Sequence, residues 1–399
     1  MAAASRTPAE HASQLVAGHG DKALLLSMRR MAHFVAYCLA YEFEDVVVDV
    51  TGADRVDADD EPTLEFSRRA YKLVRAATGS RSLAQKFAPH PSVVGLDKDY
   101  ELFFPIFNHA HELYTLATVP DWNKRCKKSA CFIVEVWPNL LPKYLIELLG
   151  QFDHIFIGFQ NCVDEIAAIS GRPCSYLPLA TDVLRFAPPS MDSDRPIGVC
   201  NIGRRSPITH DALLQLSAER RMFYYYDTVA ASGAGGKQRT FQVDRPSEHR
   251  RLLASLLQRS RYYIANRSRV NEPEFTQGTD EISARFYEGA AAGTVMLGVE
   301  PNSKGFAEQF DWPDAVIHLP FDSPDIATLL GRFERETERL ARIRRDNVAN
   351  AALRHDWVYR LKTVFDTLGI APTDAMRERM LRLKTIADTC RPSRARRAG

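Results

Sequence analysis

A chain of 399 residues is longer than one ordinary core, so two domains are expected. With 45% hydrophobic and 26% charged residues and a net charge of +2, the composition is that of a globular protein, without the electrostatic footprint of a nucleic-acid binder. No apolar run reaches the ~18 residues of a membrane span, and seven cysteines without a C-x-x-C pair read as reduced core residues rather than a zinc or disulfide framework.

Met1 to Gly20 is small and polar and lacks an apolar h-region, so residues 1–20 are expected as a flexible tail of a cytoplasmic protein. Ala23 to Ser27 reads as a buried strand, Met28 to Glu44 as a helix, and Val46 to Val50 as a second buried strand. Such a strand–helix–strand unit marks a parallel sheet. Pro62 to Thr78 is predicted helical, and Leu102 to Phe107 a strand running into a helix at Asn108 to Thr118. Strands follow at Ala130 to Trp137, Asp153 to Phe159 and Cys174 to Leu179, with helices at Leu140 to Leu149 and Cys162 to Ile169 between them. This is a first domain over 21–188, and the proline-rich, polar stretch 183–195 has the composition of a linker.

A second alternation fills 195–352. Strands are predicted at Ile197 to Ile202, Met222 to Asp227, Arg261 to Ala265, Thr294 to Val299 and Ala315 to Leu319. Helices are predicted at Asp211 to Glu219, Glu248 to Gln258, Phe306 to Phe310 and Asp325 to Ala351. A glycine-rich loop occupies 229–240, helices occupy 353–390, and the basic end 391–399 is expected to be disordered. The expected fold is α/β: two doubly wound, Rossmann-like domains facing a cleft, ligands binding at the carboxyl ends of the strands, with a C-terminal helix crossing back to the first domain.

The stretch 279–299 is the most informative. Thr279 or Asp280 can cap a helix, Asp280 and Glu281 suit its positive end, and Ile282, Phe286 and Ala290 form its core stripe. Gly293 suits the left-handed terminating position. Glu281, Arg285 and Glu288 share one side, so a closely packed helix also carries carboxylates and a guanidinium.

Other motifs are read beside it. Gly233 to Lys237 departs from a phosphate loop, because Ala231 and Gln238 stand at required positions, and is taken as a mobile loop. Asn108-His109-Ala110-His111-Glu112 lacks a third zinc ligand; if functional, His109 suits acceptor binding or base work. Glu135 ends a strand, where burial can raise a carboxyl pKa for proton transfer; a satisfied structural acid is the equal alternative. Gly203, Arg204 and Arg205 follow the first strand of the second domain and suit a pyrophosphate. Asn266, with Arg267 and Arg269, follows another strand end in the same way. The arginine-rich stretch 377–397 is most simply solvated, with anionic lipid, a peripheral membrane contact, as the minority reading.

These residues together resemble GT-B fold glycosyltransferases, most closely the family-4-like and CgeB-like groups. Asp280 and Glu288 have the acid–seven residues–Glu spacing of the donor signature, and Arg285 matches its R-x-x-E variant. Tyr176 to Pro188, Ile202 to Arg205 and His355 to Arg360 resemble, in order, the end of the first domain, the opening of the second and the final H-x-W-x-x-R helix. The first acid is Asp rather than Glu, the glycine loop is reduced to Gln277-Gly278, and Glu135-Val136 replaces a histidine near Trp137. The resemblance implies a hexosyltransferase-type enzyme taking a sugar from a nucleoside diphosphate, UDP or GDP, with no metal or other cofactor required. Its partners would be the nucleotide-sugar and a small-molecule or glycan acceptor, with no nucleic acid. Glu288 would bind ribose, Asp280 or Glu281 the sugar, and Arg204 or Arg205 the diphosphate, beside helix amides. Glu135, His109 and Asp280 are the catalytic candidates; Gly203, Arg204, Arg205, Asn266, Glu281, Arg285 and Glu288 are the donor-binding ones. A nucleotide-sugar epimerase or phosphorylase, or a non-catalytic nucleotide-sugar-binding protein, are the alternatives.

Overall fold

The computed structural model describes residues 12–59, 73–74, 77–78, 92–136, 138, 141–227, 230–232, 237–239, 241–272 and 279–391. They form two compact units: Met1–His33, Val47–Gly158 and Cys162–Tyr176 in the first, and Phe34–Val46, Phe159–Asn161 and Leu177–Gly399 in the second. Residues 233–236 of the expected glycine-rich loop, most of the Pro62 to Thr78 helix, Trp137, Gln277-Gly278, residues 1–11 and the basic end from 392 lie outside the described residues.

The first unit is a mostly parallel sheet. Its strands are β1 (Gln14–Val16), β2 (Ala23–Ser27), β3 (Asp54–Asp57), β4 (Tyr100–Phe103), β5 (Ile106–His109), β6 (Cys126–Glu135), β7 (His154–Ile157) and β8 (Cys174–Tyr176). The order is β1-β3-β2-β4-β6-β7-β8 with β5 beside β6, and only β1 runs antiparallel. All five residues of β2 are buried, as a parallel strand covered on both faces requires. Its helices are the end of α1 (Cys38–Thr51), whose residues up to Val46 belong to the second unit, a 3-10 stretch at Ala110–Thr118, α2 (Lys143–Leu149) and α3 (Val163–Ser170).

Two expectations fail here. Val46 to Val50 is not a strand but the end of α1. Valine favours strands, yet Asp45 and Asp49, one helical turn apart, are among the least buried positions of a continuous helical pattern. The strand of this unit is β3, and its sequence Asp-Arg-Val-Asp hides it. Those charges are satisfied in the fold: Tyr100 donates to Asp54 at 2.7 Å, and Arg55 pairs with Asp57. Part of the stretch expected as a loose tail is β1, which pairs with β3.

The second unit contains β9 (Ile197–Asn201), α4 (Pro207–Ala218), β10 (Tyr224–Tyr226), α5 (Pro246–Gln258), β13 (Ser260–Ile264), α6 (Ala284–Ala291), β14 (Val295–Gly298), α7 (Lys304–Gln309) and β15 (Ile317–His318). Its main sheet is parallel throughout, in the order β10-β9-β13-β14-β15. Numbered along the chain that is the doubly wound order 2-1-3-4-5, whose direction reverses between β9 and β13. Val199, Leu213, Tyr262, Val295, Ile326 and Phe333 fill its core. Within the expected loop at 229–240 the described residues form an antiparallel ribbon, β11 (Ala230–Ser232) with β12 (Lys237–Arg239).

The chain continues through α8 (Ile326–Phe333), α9 (Thr337–Arg354), α10 (Trp357–Leu368) and α11 (Asp374–Cys390). The helix expected over Asp325 to Ala351 is thus broken between Phe333 and Thr337, where neither glycine nor proline marks the break. The C-terminal helices, expected to cross back to the first domain, belong to the second unit, where they meet Phe34–Val46. Trp357 stacks on Phe43 with ring centroids 4.4 Å apart. Among the described residues no helix is long and apolar enough to cross a membrane.

Candidate functional site

The reversal between β9 and β13 places their carboxyl ends side by side, the usual ligand position in such sheets. After β9 the chain turns through Gly203, whose φ of 76° only glycine adopts freely. Its N–H donates to Asp227 Oδ1 at 2.8 Å. A side chain here would also collide: a Cβ would stand 2.7 Å from Nη2 of Arg285.

The three guanidiniums around this turn differ in their commitments. Arg205 folds back, donating to the Asn201 carbonyl and to Asp227 Oδ1, each at 3.0 Å, and its Cζ lies 5.3 Å over the Tyr226 ring. Arg204 pairs with Glu272 at 2.9 Å. Both arginines singled out in the sequence therefore already face a carboxylate. Arg285, in the first turn of α6 and half-buried, makes no hydrogen bond or ion pair with any described residue.

The helix α6 starts later than its sequence suggests. Ser283 is the N-cap residue, yet its hydroxyl donates to the Asn266 carbonyl at 2.7 Å instead of capping. Thr279 and Asp280 are drawn away because residues before the helix bond to the loop after β13. Ser268 N donates to the Glu281 carbonyl at 3.0 Å; Asp280 pairs with Arg267 and accepts from Asn302 N at 3.0 Å. The amides of Ala284 and Arg285 meet no acceptor among the described residues, so α6 presents donors and a positive dipole end beside the Arg285 side chain. Asn266, buried, holds the adjacent β14 end by accepting from Val299 N at 2.8 Å.

Glu281 is buried and accepts from Asn161 Nδ2 at 3.0 Å. Burial pushes its carboxyl up to about 7, against the smaller opposing effect of hydrogen bonds from Asn161 and Gln160. Glu288, one turn beyond Arg285 on α6, is also buried, and its Oε1 accepts from Arg250 Nη1. Arg250 in turn grips Glu42 through Nε at 2.7 Å and Nη2 at 3.1 Å.

The remaining two candidates lie in the first unit. His109 ends β5 and Glu135 ends β6, and the two are register partners on neighbouring parallel strands. His109 stacks on His111, centroids 5.3 Å apart. Glu112 of the same motif is buried and accepts from Asn108 N at 2.8 Å, a local structural task. Among the described residues no group of three His, Cys, Asp or Glu is arranged to hold a metal ion.

Sequence reasoning missed Glu42, Arg250, Asn161 and Asp227. Arg250 had one available signal: it falls on the buried stripe of an amphipathic helix, with Leu253, Ala254 and Leu257. A buried arginine needs a counter-charge, but nothing local names it.

Residues 205–366 match a family model described as glycosyl transferase-like. Among solved structures the chain is similar to an alpha-glucosyltransferase in complex with UDP and a 13-mer DNA containing a HMU base. The identity is 10% and the TM-score 0.51, over 88% of this chain and 100% of that one. It is also similar to an alpha,alpha-trehalose-phosphate synthase (UDP-forming) from Burkholderia vietnamiensis, at 10% identity and a TM-score of 0.48, over 88% of this chain and 99% of that one. No curated protein matches the chain. Residues 205–366 thus match a glycosyl transferase-like model, and the chain has the α/β fold, GT-B, of the alpha-glucosyltransferase to which it is similar.

Proposed function

We propose that the chain is a glycosyltransferase that takes a sugar from a nucleoside diphosphate and passes it to an acceptor hydroxyl. The observation that supports this reading is Arg285: a guanidinium without a carboxylate partner among the described residues, set against the Gly203 turn and beside the unbonded amides that open α6. Departure of a diphosphate builds negative charge on its oxygens, and fixed donors aimed at that charge lower the barrier. Arg285 and the α6 amides are such donors. Arg204 and Arg205, each already paired with a carboxylate, would shape the turn and contribute less.

In this reading Glu288 accepts from ribose hydroxyls, and Asp280 and Glu281 border the sugar. Glu281, with its pKa near 7, holds a proton part of the time at neutral pH and can donate a hydrogen bond as well as accept one. Glu135 and His109 are assigned to the acceptor side. UDP is bound by the glucosyltransferase to which the chain is similar, which makes a UDP-sugar the first donor to test.

The test is turnover. UDP- and GDP-sugars are incubated with the protein, with and without a panel of hydroxyl-bearing acceptors, and free nucleoside diphosphate and product are quantified. Acceptor-dependent release that falls at least about a hundredfold in Arg285→Ala supports the reading. Turnover of the donor to an isomer without acceptor would point to an epimerase. Tight donor binding without any transfer would point to a binding protein.

A further inference from the structure

The Glu42–Arg250–Glu288 chain lies wholly within the second unit and is built differently from an ordinary ion pair. The Glu42 side chain has no exposure, and its carboxylate is saturated. Oε1 accepts from Thr181 Oγ1 at 3.0 Å, Asp182 N at 2.8 Å, Arg250 Nη2 at 3.1 Å and Trp357 Nε1 at 3.2 Å, while Oε2 accepts from Arg250 Nε at 2.7 Å. Arg250 is held along one edge, Nε and Nη2, by this fork, and Phe186 lies against its face at 4.8 Å. A guanidinium so fixed cannot turn without breaking two charge-assisted bonds. Its remaining Nη1 goes to Glu288 Oε1.

Glu288 has the opposite character. Its backbone is locked in α6 between buried Tyr287 and Gly289, but its carboxylate takes a single hydrogen bond from the described residues, on Oε1. Oε2 accepts from none of them, and its residue stands three places from Arg285. An ionised carboxylate is an acceptor only, so what it can take next is a donor such as a hydroxyl.

We propose that Arg250 is a positioning residue that aims the Glu288 carboxylate at the donor's ribose hydroxyls, with Glu42 as the anchor that holds Arg250 in place. This rests on the ribose contact of the preceding reading. Arg250 touches no substrate in this scheme. Removing its anchor leaves Glu288 charged and present but free to change rotamer.

The experiment compares calorimetric affinities for UDP and for 2′,3′-dideoxy-UDP, with GDP and its dideoxy counterpart run in parallel, in the wild type, Glu288→Gln, Glu42→Gln and Arg250→Lys. The readout is the ratio of the two dissociation constants, which isolates the ribose hydroxyls from any general weakening of the site. A hydrogen bond to a charged group predicts a wild-type ratio of about tenfold or more. The ratio should approach one in Glu288→Gln and drop at least about threefold in Glu42→Gln and Arg250→Lys, with dideoxynucleotide affinity kept. Glu42→Gln preserves shape and one acceptor oxygen, so it carries the test should Arg250→Lys not fold. A wild-type ratio retained in the folded Glu42 or Arg250 variants, or a parallel loss for both ligands, overturns the positioning role. A wild-type protein that does not discriminate, or an unchanged ratio in Glu288→Gln, removes the ribose contact itself and the positioning role with it.

Discussion

Gly203 and Arg285 are in contact: the guanidinium of one lies where any side chain on the other would be, 2.7 Å from a Cβ placed at 203. The turn therefore has two reasons to be glycine, its φ of 76° and this approach. Gly203→Ala is expected to cost about 1–2 kcal/mol from the left-handed backbone alone. It should also displace Arg285 and weaken nucleoside diphosphate binding. Thermal unfolding and UDP titration of the variant measure the two effects separately.

Glu281 should make stability depend on pH in an unusual direction. Its folded pKa is about 7 against an ordinary 4.5, with burial as the cause. Between those values the folded chain holds a proton that the unfolded chain releases, so this group's contribution to stability falls as pH rises. The full span corresponds to at most about 3 kcal/mol. Glu281→Gln removes the titration. Its melting temperature relative to wild type should rise from about pH 5 to about pH 8, and a difference independent of pH would contradict the assignment.

Arg250 neutralises two buried glutamates. Burial alone would push Glu42 up, but Arg250 and the bond from Asp182 N hold it below its ordinary value. The stability so gained is present above pH 4.5 and is lost as pH falls through the folded pKa. Arg250→Met should destabilise the protein by about 3–5 kcal/mol at neutral pH, since it strands buried charge. The deficit should shrink in acid, where Glu42 can take a proton instead. Denaturant unfolding at several pH values measures it.

Asn347 ties α9 to the chain entering β14. It accepts from Trp312 Nε1 and donates to the Thr294 carbonyl just before β14, both at 2.8 Å and both buried. Asn347→Leu should cost about 2–4 kcal/mol by leaving two polar groups without partners. Chemical denaturation of the folded variant reads this directly.

How far this was legible in the sequence varies with how local the cause is. Ile197–Asn201 is a mostly apolar run bounded by polar turns, so its strand could be read directly. β3 could not, because its charges hide it until Tyr100 is seen beside Asp54 and Arg55 is seen paired with Asp57. Gly203, Arg285 and Glu288 could be singled out because spacing along one helix and one turn is local. Their commitments were not: Arg250 is 38 positions from Glu288 and 208 from Glu42, and no pattern of residues announces a pair at that separation. The same holds for Arg204 and Arg205, whose charges look available until Glu272 and Asp227 are seen beside them. The start of α6 was misplaced because tertiary bonds from Asn302 and Ser268 draw Asp280 and Glu281 out of the helix.

The central claim is that Arg285 is the cation that receives the donor's diphosphate. Calorimetric titration of UDP and of uridine into wild type, Arg285→Ala and Arg204→Ala tests it. Loss of one charge-assisted contact predicts UDP affinity about 10- to 100-fold lower in Arg285→Ala, uridine affinity unchanged, and a much smaller change in Arg204→Ala, whose charge is already shared with Glu272. UDP bound equally well by wild type and Arg285→Ala would contradict it.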